Sequence, residues 1–377
     1  MAEAAQKINQ ATAPDAPKVR LYAAPTLSLP LAHPHLVLFV AARNIQVGKA
    51  VQIALEQGAQ NVDLSRLPNL TDMSAETITS NVHAINSLCE NPRQKFVFEK
   101  LVTHLHDFAR EVSLTTDEWM TAIKFLTDVG QICSPTRQEF ILLSDALGLS
   151  ALVDSMNHPT KPPATEATVL GPFFTEDAAD IPHGGSIASE GKGEYMYCEG
   201  RVLDLAGKPV ANCTVETWET DDDGLYDTQY ADRDHPDCRG RLKTDENGYY
   251  AYRLIKPTPY PIPFDGPVGK LLKSLGRHVF RPAHLHMMFI ADGYEPLTTA
   301  LYFEGDPYLQ SDAVFGVKSS LVVSTTLIED EERAKSLGFK HGPFHYLKKD
   351  YVLLSVAEAE EQKRISLANY YRSLQQS

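Results

Sequence analysis

The features that this 377-residue sequence lacks already exclude several classes of function. Basic residues are not in excess: the formal net charge of −14 argues against a nucleic-acid partner and against attraction to anionic membranes. The five cysteines contain no CxxC pair, so we expect reduced thiols rather than disulfides or a zinc site. Long hydrophobic runs are also missing, because residues 36–42 fall far short of the roughly 20 that cross a bilayer.

Two further absences bear on location and chemistry. No basic segment precedes residues 36–42, so a secretory signal is not predicted, and the acid-poor stretch 23–59 is only faintly similar to a transit sequence. A cytoplasmic location is therefore expected. GxGxxG, P-loop and GxSxG elements are absent, so nucleotide binding and serine hydrolysis have no support.

Residue patterning predicts an α+β chain in four parts. Residues 1–65 form an extension, disordered over 1–22 and compatible with a helix over 41–56. Residues 66–160 show three- and four-residue apolar spacing, which predicts a small helical domain. Residues 161–355 change to period-two runs separated by Gly, Pro and Asp-Asn turns, which predicts an antiparallel β-sandwich. Residues 356–377 are predicted to form a C-terminal helix.

Histidine spacing gives the first candidate site. Three HxH pairs occur: His33 and His35, His104 and His106, and His284 and His286. On a strand such a pair faces one side, whereas on a helix its members point about 200° apart. The first pair lies among prolines and the second in a helical pattern, so only the third, in the predicted strand 279–290, suits a metal. Two half-buried structural histidines are the alternative.

Tyrosine gives the second candidate. Tyr260 lies in residues 257–263 (PTPYPIP), where four prolines fix the backbone around one phenol, as suits a ligand. A turn tyrosine packed on prolines explains the same pattern equally well. Tyr226 follows an acidic turn, residues 221–224, and is also compatible with a surface or core position.

Two phenols and two imidazoles together would favour ferric iron. A tyrosinate is a hard, strongly donating anion that prefers Fe(III), whereas oxygenases that activate O2 at Fe(II) use two histidines and one carboxylate. The rival set would need His235 and Asp237, but Pro236 and the charged residues 232–241 predict a solvated loop there. Arg281 precedes His284 by three residues, and Pro282 could turn its guanidinium towards the same site; a surface ion pair is the alternative.

At this point several motifs, in order, resemble the intradiol ring-cleavage dioxygenases. They are residues 168–174 (TVLGPFF), Tyr226 after Asp-Gly-Leu, residues 260–267 (YPIPFDGP), Gly276-Arg277, residues 281–286 (RPAHLH) and residues 305–309 (GDPYL). The resemblance implies a helical domain followed by a β-sandwich, and one Fe(III) per subunit. The implied iron ligands are Tyr226, Tyr260, His284 and His286, with Tyr230 competing for the first place.

The resemblance also implies roles around the iron. Tyr260 would be the phenolate that leaves iron when substrate binds, and Arg281 would be the catalytic arginine of the pocket. The family often carries a catalytic Gln where this chain has Ala300. Members form homodimers through their helical domains, with lipid bound at that interface, so a homodimer is expected here and lipid is a further expectation.

Within the family the chain looks more like hydroxyquinol (benzene-1,2,4-triol) dioxygenases than catechol dioxygenases, on residues 164–173, 226–230 and 312–318. The implied substrate-binding residues are Leu142, Asp145, Val169, Leu170, Gly171, Pro172, Phe173, Ile262, Pro263 and Val314. Asp145 would accept the third hydroxyl; a helix-surface carboxylate is its alternative. The expected partners are therefore a small aromatic diol or triol and O2, with catechol the second choice of substrate. A β-sandwich binding module without activity is the alternative of another class.

Overall fold

The computed structural model describes residues 48–374 except 61–63, 69, 71 and 135–136. These residues belong to two compact units that divide after Lys124. The predictions on residues 1–47, including His33 and His35, lie outside the described residues. The domain limits at 66 and 160 remain predictions. All five cysteines are free thiols. None of the helices in the described ranges is long and apolar enough to cross a membrane.

Local sequence signals set the ends of the N-terminal helices. These are α1 (Lys49–Glu56), α2 (Ile78–Asn86), α3 (Pro92–Glu111) and α4 (Thr116–Ile132). Asn91 caps α3 by accepting the Gln94 N–H at 3.0 Å, with Pro92 in the first turn. The Thr115 N–H donates to the Glu118 carboxylate at 2.9 Å and the Glu118 N–H donates to the Thr115 hydroxyl at 3.3 Å, which forms a capping box. His104 and His106 lie in α3, so their helical assignment is confirmed.

The second unit contains a β-sandwich flanked by helices. The helices are α5 (Glu139–Ala146), α6 (Leu149–Asn157), α7 (Pro267–Ser274), α8 (Glu331–Ser336) and α9 (Val356–Leu374). The strands are β1 (Ala179–Asp180), β2 (Tyr195–Asp204), β3 (Thr214–Trp218), β4 (Arg239–Lys243), β5 (Tyr249–Ile255), β6 (Tyr260–Pro261), β7 (Phe280–Arg281), β8 (His284–Ile290), β9 (Leu297–Phe303), β10 (Val322–Val323), β11 (Thr326–Ile328), β12 (Phe344–Lys348) and β13 (Tyr351–Leu353).

Two sheets enclose the main core. One has the order β1-β4-β3-β8-β9-β10, and the other has β11-β12-β2-β13 with β5 also paired to β2. Inward side chains of both sheets form a single buried cluster, which includes Met196, Tyr252, Leu285 and Phe289. The predicted sandwich is confirmed, but its sheets are mixed rather than antiparallel. Strands β12 and β13 run parallel to β2, β10 is parallel to β9, and β1 is parallel to β4.

Helix α7 begins with Pro267 at its first position. Two local predictions near the site differ from the structure. The predicted strand 279–290 is split into β7 and β8, because Pro282 has no N–H to donate to a ladder. The charged segment 232–241 is not solvated throughout, since buried Arg239 begins β4.

Candidate metal centre

Four predicted ligands come from three places in the second unit. His284 and His286 lie on β8, in the middle of the six-stranded sheet. Tyr260 lies on β6, which pairs with β7 so that Tyr260 is opposite Arg281. Tyr226 immediately precedes the 3-10 turn Asp227–Gln229. All four side chains are buried, with exposures of 0–3% for the whole residue.

The four rings lie close together. The Tyr226 Oη is 3.2 Å from the His284 Nε2. The ring centroids of His284 and His286 are 4.7 Å apart, and those of Tyr260 and His284 are 5.4 Å apart. The two tyrosine rings meet edge to face at 5.6 Å. The structure therefore brings together the two phenols and two imidazoles that the sequence proposed from separate segments.

Both imidazoles are suited to bind a metal as neutral ligands, each through a nitrogen lone pair. The Nδ1–H of His284 donates to the Pro282 carbonyl at 2.8 Å, which leaves Nε2 with its lone pair towards Tyr226. Metal-bound histidines commonly orient themselves through such a bond. Burial holds the pKa of His284 well below its usual value, and the Arg281 charge lowers it further. Burial and the neighbouring His284 do the same to the pKa of His286.

The phenol of Tyr226 would need a cation in order to ionise. Burial raises its pKa well above the usual value, and the adjacent Tyr260 raises it further, against the Arg281 charge. Binding to a metal removes the proton from such a ligand. A buried set of two phenols and two neutral imidazoles therefore fits a hard, highly charged cation such as Fe(III).

Tyr230, the alternative to Tyr226, is engaged elsewhere. Its hydroxyl donates to the Asp221 Oδ2 at 2.6 Å, and its ring lies 4.6 Å from the Lys192 Nζ. His235 is also away from the centre: its side chain is 61% exposed and pairs with Asp234. Asp237 accepts the Ser189 N–H at 2.7 Å. The carboxylate-containing ligand set is therefore not assembled from this loop.

Aromatic and glycine contacts hold the ligands in place. The Trp218 ring stacks on His286 at 4.8 Å with an interplanar angle of 9°. Phe173 stacks on Tyr226 at 4.4 Å. A Cβ on Gly171 would lie 3.5 Å from the His286 Nε2. Sequence reasoning missed Trp218, because its contact with His286 follows from the register of β3 against β8.

A buried ion pair supports the turn that carries Tyr226. Asp227 and Arg239 are 7% and 3% exposed and form a bidentate pair. Arg239 also donates to the Phe173 carbonyl at 3.1 Å, and Arg233 donates to Asp227 at 3.0 Å. This pair links the turn after Tyr226 to the loop that stacks on it. Sequence reasoning missed it, although Asp227 is the next residue after Tyr226.

Arg281 points into the centre, as the break at Pro282 had suggested. Its Nη1 lies 3.1 Å from the His284 Nε2 and donates to the Tyr260 Oη at 3.4 Å. The residue is 3% exposed, which rules out the surface ion pair. Ala300 is opposite His286 in the β8–β9 ladder and is fully buried, so a methyl group occupies this position.

Five of the ten predicted substrate residues pack in two apolar clusters, one of which contains Tyr226 and Tyr260. Leu142, Ile262 and Val314 pack in one apolar cluster, and Leu170 and Phe173 pack with Tyr226 and Tyr260 in another. Asp145 lies on α5 and is 9% exposed, so it is not a helix-surface residue. Burial raises the pKa of its carboxyl, while Ser150 and the Arg281 charge oppose this. Pro172 is exposed, and Val169 and Pro263 are half-buried. Substrate contact remains a prediction for all ten residues.

Known proteins match most of this chain. Residues 91–165 match the family described as "Catechol dioxygenase N terminus", and residues 169–342 match the family described as "Dioxygenase". The intradiol ring-cleavage dioxygenase hqdA of Aspergillus niger is 52% identical over 78% of this chain and 89% of its own length. The hydroxyquinol 1,2-dioxygenase of a Rhizobium species is 46% identical over 75% of this chain and 95% of its own length.

A solved structure agrees with these matches. That of hydroxyquinol 1,2-dioxygenase from Pseudomonas putida DLL-E4 superposes with a TM-score of 0.70 at 43% identity, over 74% of this chain and 98% of the other. Catechol 1,2-dioxygenase from an Acinetobacter species superposes with a TM-score of 0.65 at 26% identity, over 77% and 94%. This chain therefore belongs to the intradiol ring-cleavage dioxygenase family.

Proposed function

We propose that this enzyme uses O2 to cleave the ring of hydroxyquinol between its adjacent hydroxyl-bearing carbons, giving 3-hydroxy-cis,cis-muconate, the tautomer of maleylacetate. One Fe(III) per subunit would be held by Tyr226, Tyr260, His284 and His286. The observation that carries this proposal is the convergence of these four buried donors. Fe(III) held there would supply a Lewis acid to which the diol could bind as a chelating dianion, and its withdrawal of electron density would make the ring itself reactive towards O2.

The side chains of Tyr260 and Arg281 would then take part in proton transfer and charge stabilisation. By the family resemblance, Tyr260 would be the phenolate that the substrate replaces as a ligand, and its Oη accepts a hydrogen bond from Arg281. The permanent charge of Arg281, buried beside this oxygen, would stabilise negative charge as the substrate loses its second proton and as O2 attacks. The apolar walls formed by Leu142, Ile262 and Val314 would exclude water from the ring.

Asp145 supports a triol as substrate. Ser150 and the Arg281 charge offset the burial of this carboxyl only in part, and a third ring hydroxyl would add a hydrogen bond worth about 1.5–3 kcal/mol to a charged acceptor. Catechol has no such hydroxyl and would give cis,cis-muconate. The relatives named as hydroxyquinol dioxygenases are 46–51% identical, whereas catechol 1,2-dioxygenase of Candida albicans is 38% identical. This difference favours hydroxyquinol over catechol.

Steady-state rates on both substrates test the proposal. The wild type should have the larger kcat/KM on hydroxyquinol, and both atoms of labelled O2 should enter the product. Asp145→Ala should lower kcat/KM on hydroxyquinol by about tenfold or more and change that on catechol much less. Asp154→Ala removes a helix carboxylate that pairs with His158 and serves as the control. A catechol preference that survives Asp145→Ala would refute hydroxyquinol as the substrate.

We also propose a homodimer formed through the helical region. Helix α3 exposes apolar side chains that include Phe98, Leu101, Leu105 and Phe108, each 45–55% exposed. An exposed apolar stripe of this kind marks a binding surface. Sedimentation analysis should give twice the chain mass, and Leu105→Glu should lower it to that of a monomer. Native mass spectrometry of the dimer tests the expectation of bound lipid.

A further inference from the structure

Asp312, an acidic residue outside the predicted iron ligands, contacts Arg281, the proposed catalytic arginine. Asp312 and Arg281 are 5% and 3% exposed. The Arg281 Nε donates to the Asp312 Oδ1 at 3.1 Å, and its Nη2 donates to Oδ2 at 3.3 Å. The two residues are 31 positions apart in the sequence, and Asp312 had been noted only as the first residue of a family motif.

The ion pair with Asp312 uses one edge of the Arg281 guanidinium and leaves Nη1 to contact the metal centre. Nε and Nη2 form the fork that grips Asp312, and Nη2 also donates to the Tyr302 hydroxyl at 3.5 Å. Nη1 is left for the metal centre, where it contacts the Tyr260 Oη and the His284 Nε2. Because a guanidinium is planar, fixing one edge fixes the direction in which the other edge points.

The carboxylate is itself held rigidly by its own loop. Oδ1 accepts the Val314 N–H at 3.2 Å, and Oδ2 accepts the Gly316 N–H at 2.9 Å. A Cβ on Gly316 would lie 2.9 Å from the Arg281 Nη2 and 3.2 Å from the Asp312 Oδ2, so the backbone closes tightly over the pair. Val314 belongs to the apolar wall proposed for the substrate ring. One carboxylate thus connects the position of the arginine with that of the wall.

We propose that Asp312 is a positioning residue. It orients the Arg281 guanidinium towards the substrate oxygens, and it fixes Val314, which forms part of the apolar wall, relative to that guanidinium. This inference rests on the proposed function, in which Arg281 acts on bound substrate. A purely structural pair makes a different prediction, because removing one partner of a buried ion pair leaves an uncompensated charge and strongly destabilises the fold. In the structural account, loss of Asp312 would alter folding and iron content together with turnover.

The test compares Asp312→Asn, Asp312→Glu, Arg281→Met and the double variant Arg281→Met/Asp312→Asn in the full-length, iron-loaded protein. Glu216→Gln is the matched control, since it removes another buried carboxylate that pairs with an arginine, Arg241. The measurements are iron per chain, the visible spectrum, kcat, and the dissociation constant of hydroxyquinol titrated spectroscopically without O2. Urea unfolding of the metal-free variants reports on the pair separately from turnover.

Asp312→Asn should keep the iron content and visible band of the wild type but lower kcat about 100-fold, because the arginine is misplaced. Its anaerobic dissociation constant should change less than about fivefold, since the effect arises in the transition state. The double variant should be no slower than Arg281→Met, because Asp312 acts through Arg281. In metal-free protein, the double variant should also be more stable than Arg281→Met, which leaves a buried charge without its partner.

The proposal is wrong if Asp312→Asn turns over at the wild-type rate, if iron and colour are lost in proportion to kcat, or if the double variant is much slower than Arg281→Met. If Asp312→Asn does not fold, Asp312→Glu decides. It keeps the charge but displaces the guanidinium, so kcat should fall with iron retained, and wild-type kcat would refute the inference. Failure of the wild type to cleave any diol would instead refute the proposed function.

Discussion

The substitution Gly171→Ala should lower iron retention and kcat/KM by more than backbone strain alone explains. Gly171 has a φ of +76°, and a Cβ there would contact the His286 Nε2 at 3.5 Å. Gly207 has the same φ of +76°, but its Cβ would meet nothing within 4 Å. The two glycines therefore share one φ and differ in what a side chain would contact.

The expected magnitudes follow from this comparison. A left-handed conformation costs a residue with a Cβ about 1–2 kcal/mol, so Gly171→Ala and Gly207→Ala should lose similar stability in urea unfolding of the metal-free protein. Only Gly171→Ala places a methyl beside the imidazole nitrogen proposed to bind iron. At 3.5 Å the methyl makes ordinary van der Waals contact with the ring, but it occupies space beside the nitrogen lone pair that would hold iron. A loss of about 1.4 kcal/mol of transition-state stabilisation there would reduce kcat/KM tenfold.

The assay measures iron retained after dialysis against a chelator, together with kcat/KM, for both alanine variants. Gly171→Ala should lose iron faster and turn over at least about tenfold more slowly, whereas Gly207→Ala should match the wild type in both. Equal iron retention and equal kcat/KM in the two variants would refute the placement of Gly171 over the His286 nitrogen.

Three further predictions test other parts of the account. Iron loading should quench the emission of Trp218, which stacks on His286, so the iron-dependent change should disappear in Trp218→Phe but persist in Trp119→Phe. Arg239→Met should lower the free energy of unfolding by about 3 kcal/mol, because it leaves the buried Asp227 without its main partner; a loss under about 1 kcal/mol would contradict this. Burial raises the pKa of Asp145, so the folded protein binds a proton that the unfolded chain releases, and wild-type stability falls as pH rises above the unfolded carboxyl pKa. Asp145→Asn should therefore gain stability relative to the wild type as the pH rises above about 4 in urea titrations, and a pH-independent difference would contradict the raised pKa.

Local patterns predicted the parts of the site that depend on neighbouring residues. The spacing of His284 and His286 on a strand required only the period of two. Pro282 suggested the turn of Arg281 towards the same side, since a proline interrupts the ladder. Tyr226 was separated from Tyr230 only by family resemblance, because both follow the same acidic turn.

Contacts between distant segments could not be predicted in this way. The stack of Trp218 on His286 depends on the register of β3 against β8. The pairing of Asp312 with Arg281 depends on how the loop after β9 returns to β7, which residue composition does not encode. The parallel pairing of β12 and β13 with β2 was not predicted, because β2 lies more than a hundred residues earlier. Tertiary context decides such pairings over local propensity.

The account is tested most directly by the colour and iron content of the purified protein and of two tyrosine variants. Protein refolded with iron should hold about one ion per chain and show the visible charge-transfer band of a ferric tyrosinate. Tyr226→Phe and Tyr260→Phe should each weaken or shift that band. Iron bound at full occupancy with the same spectrum in all three proteins would contradict the proposed tyrosine ligands.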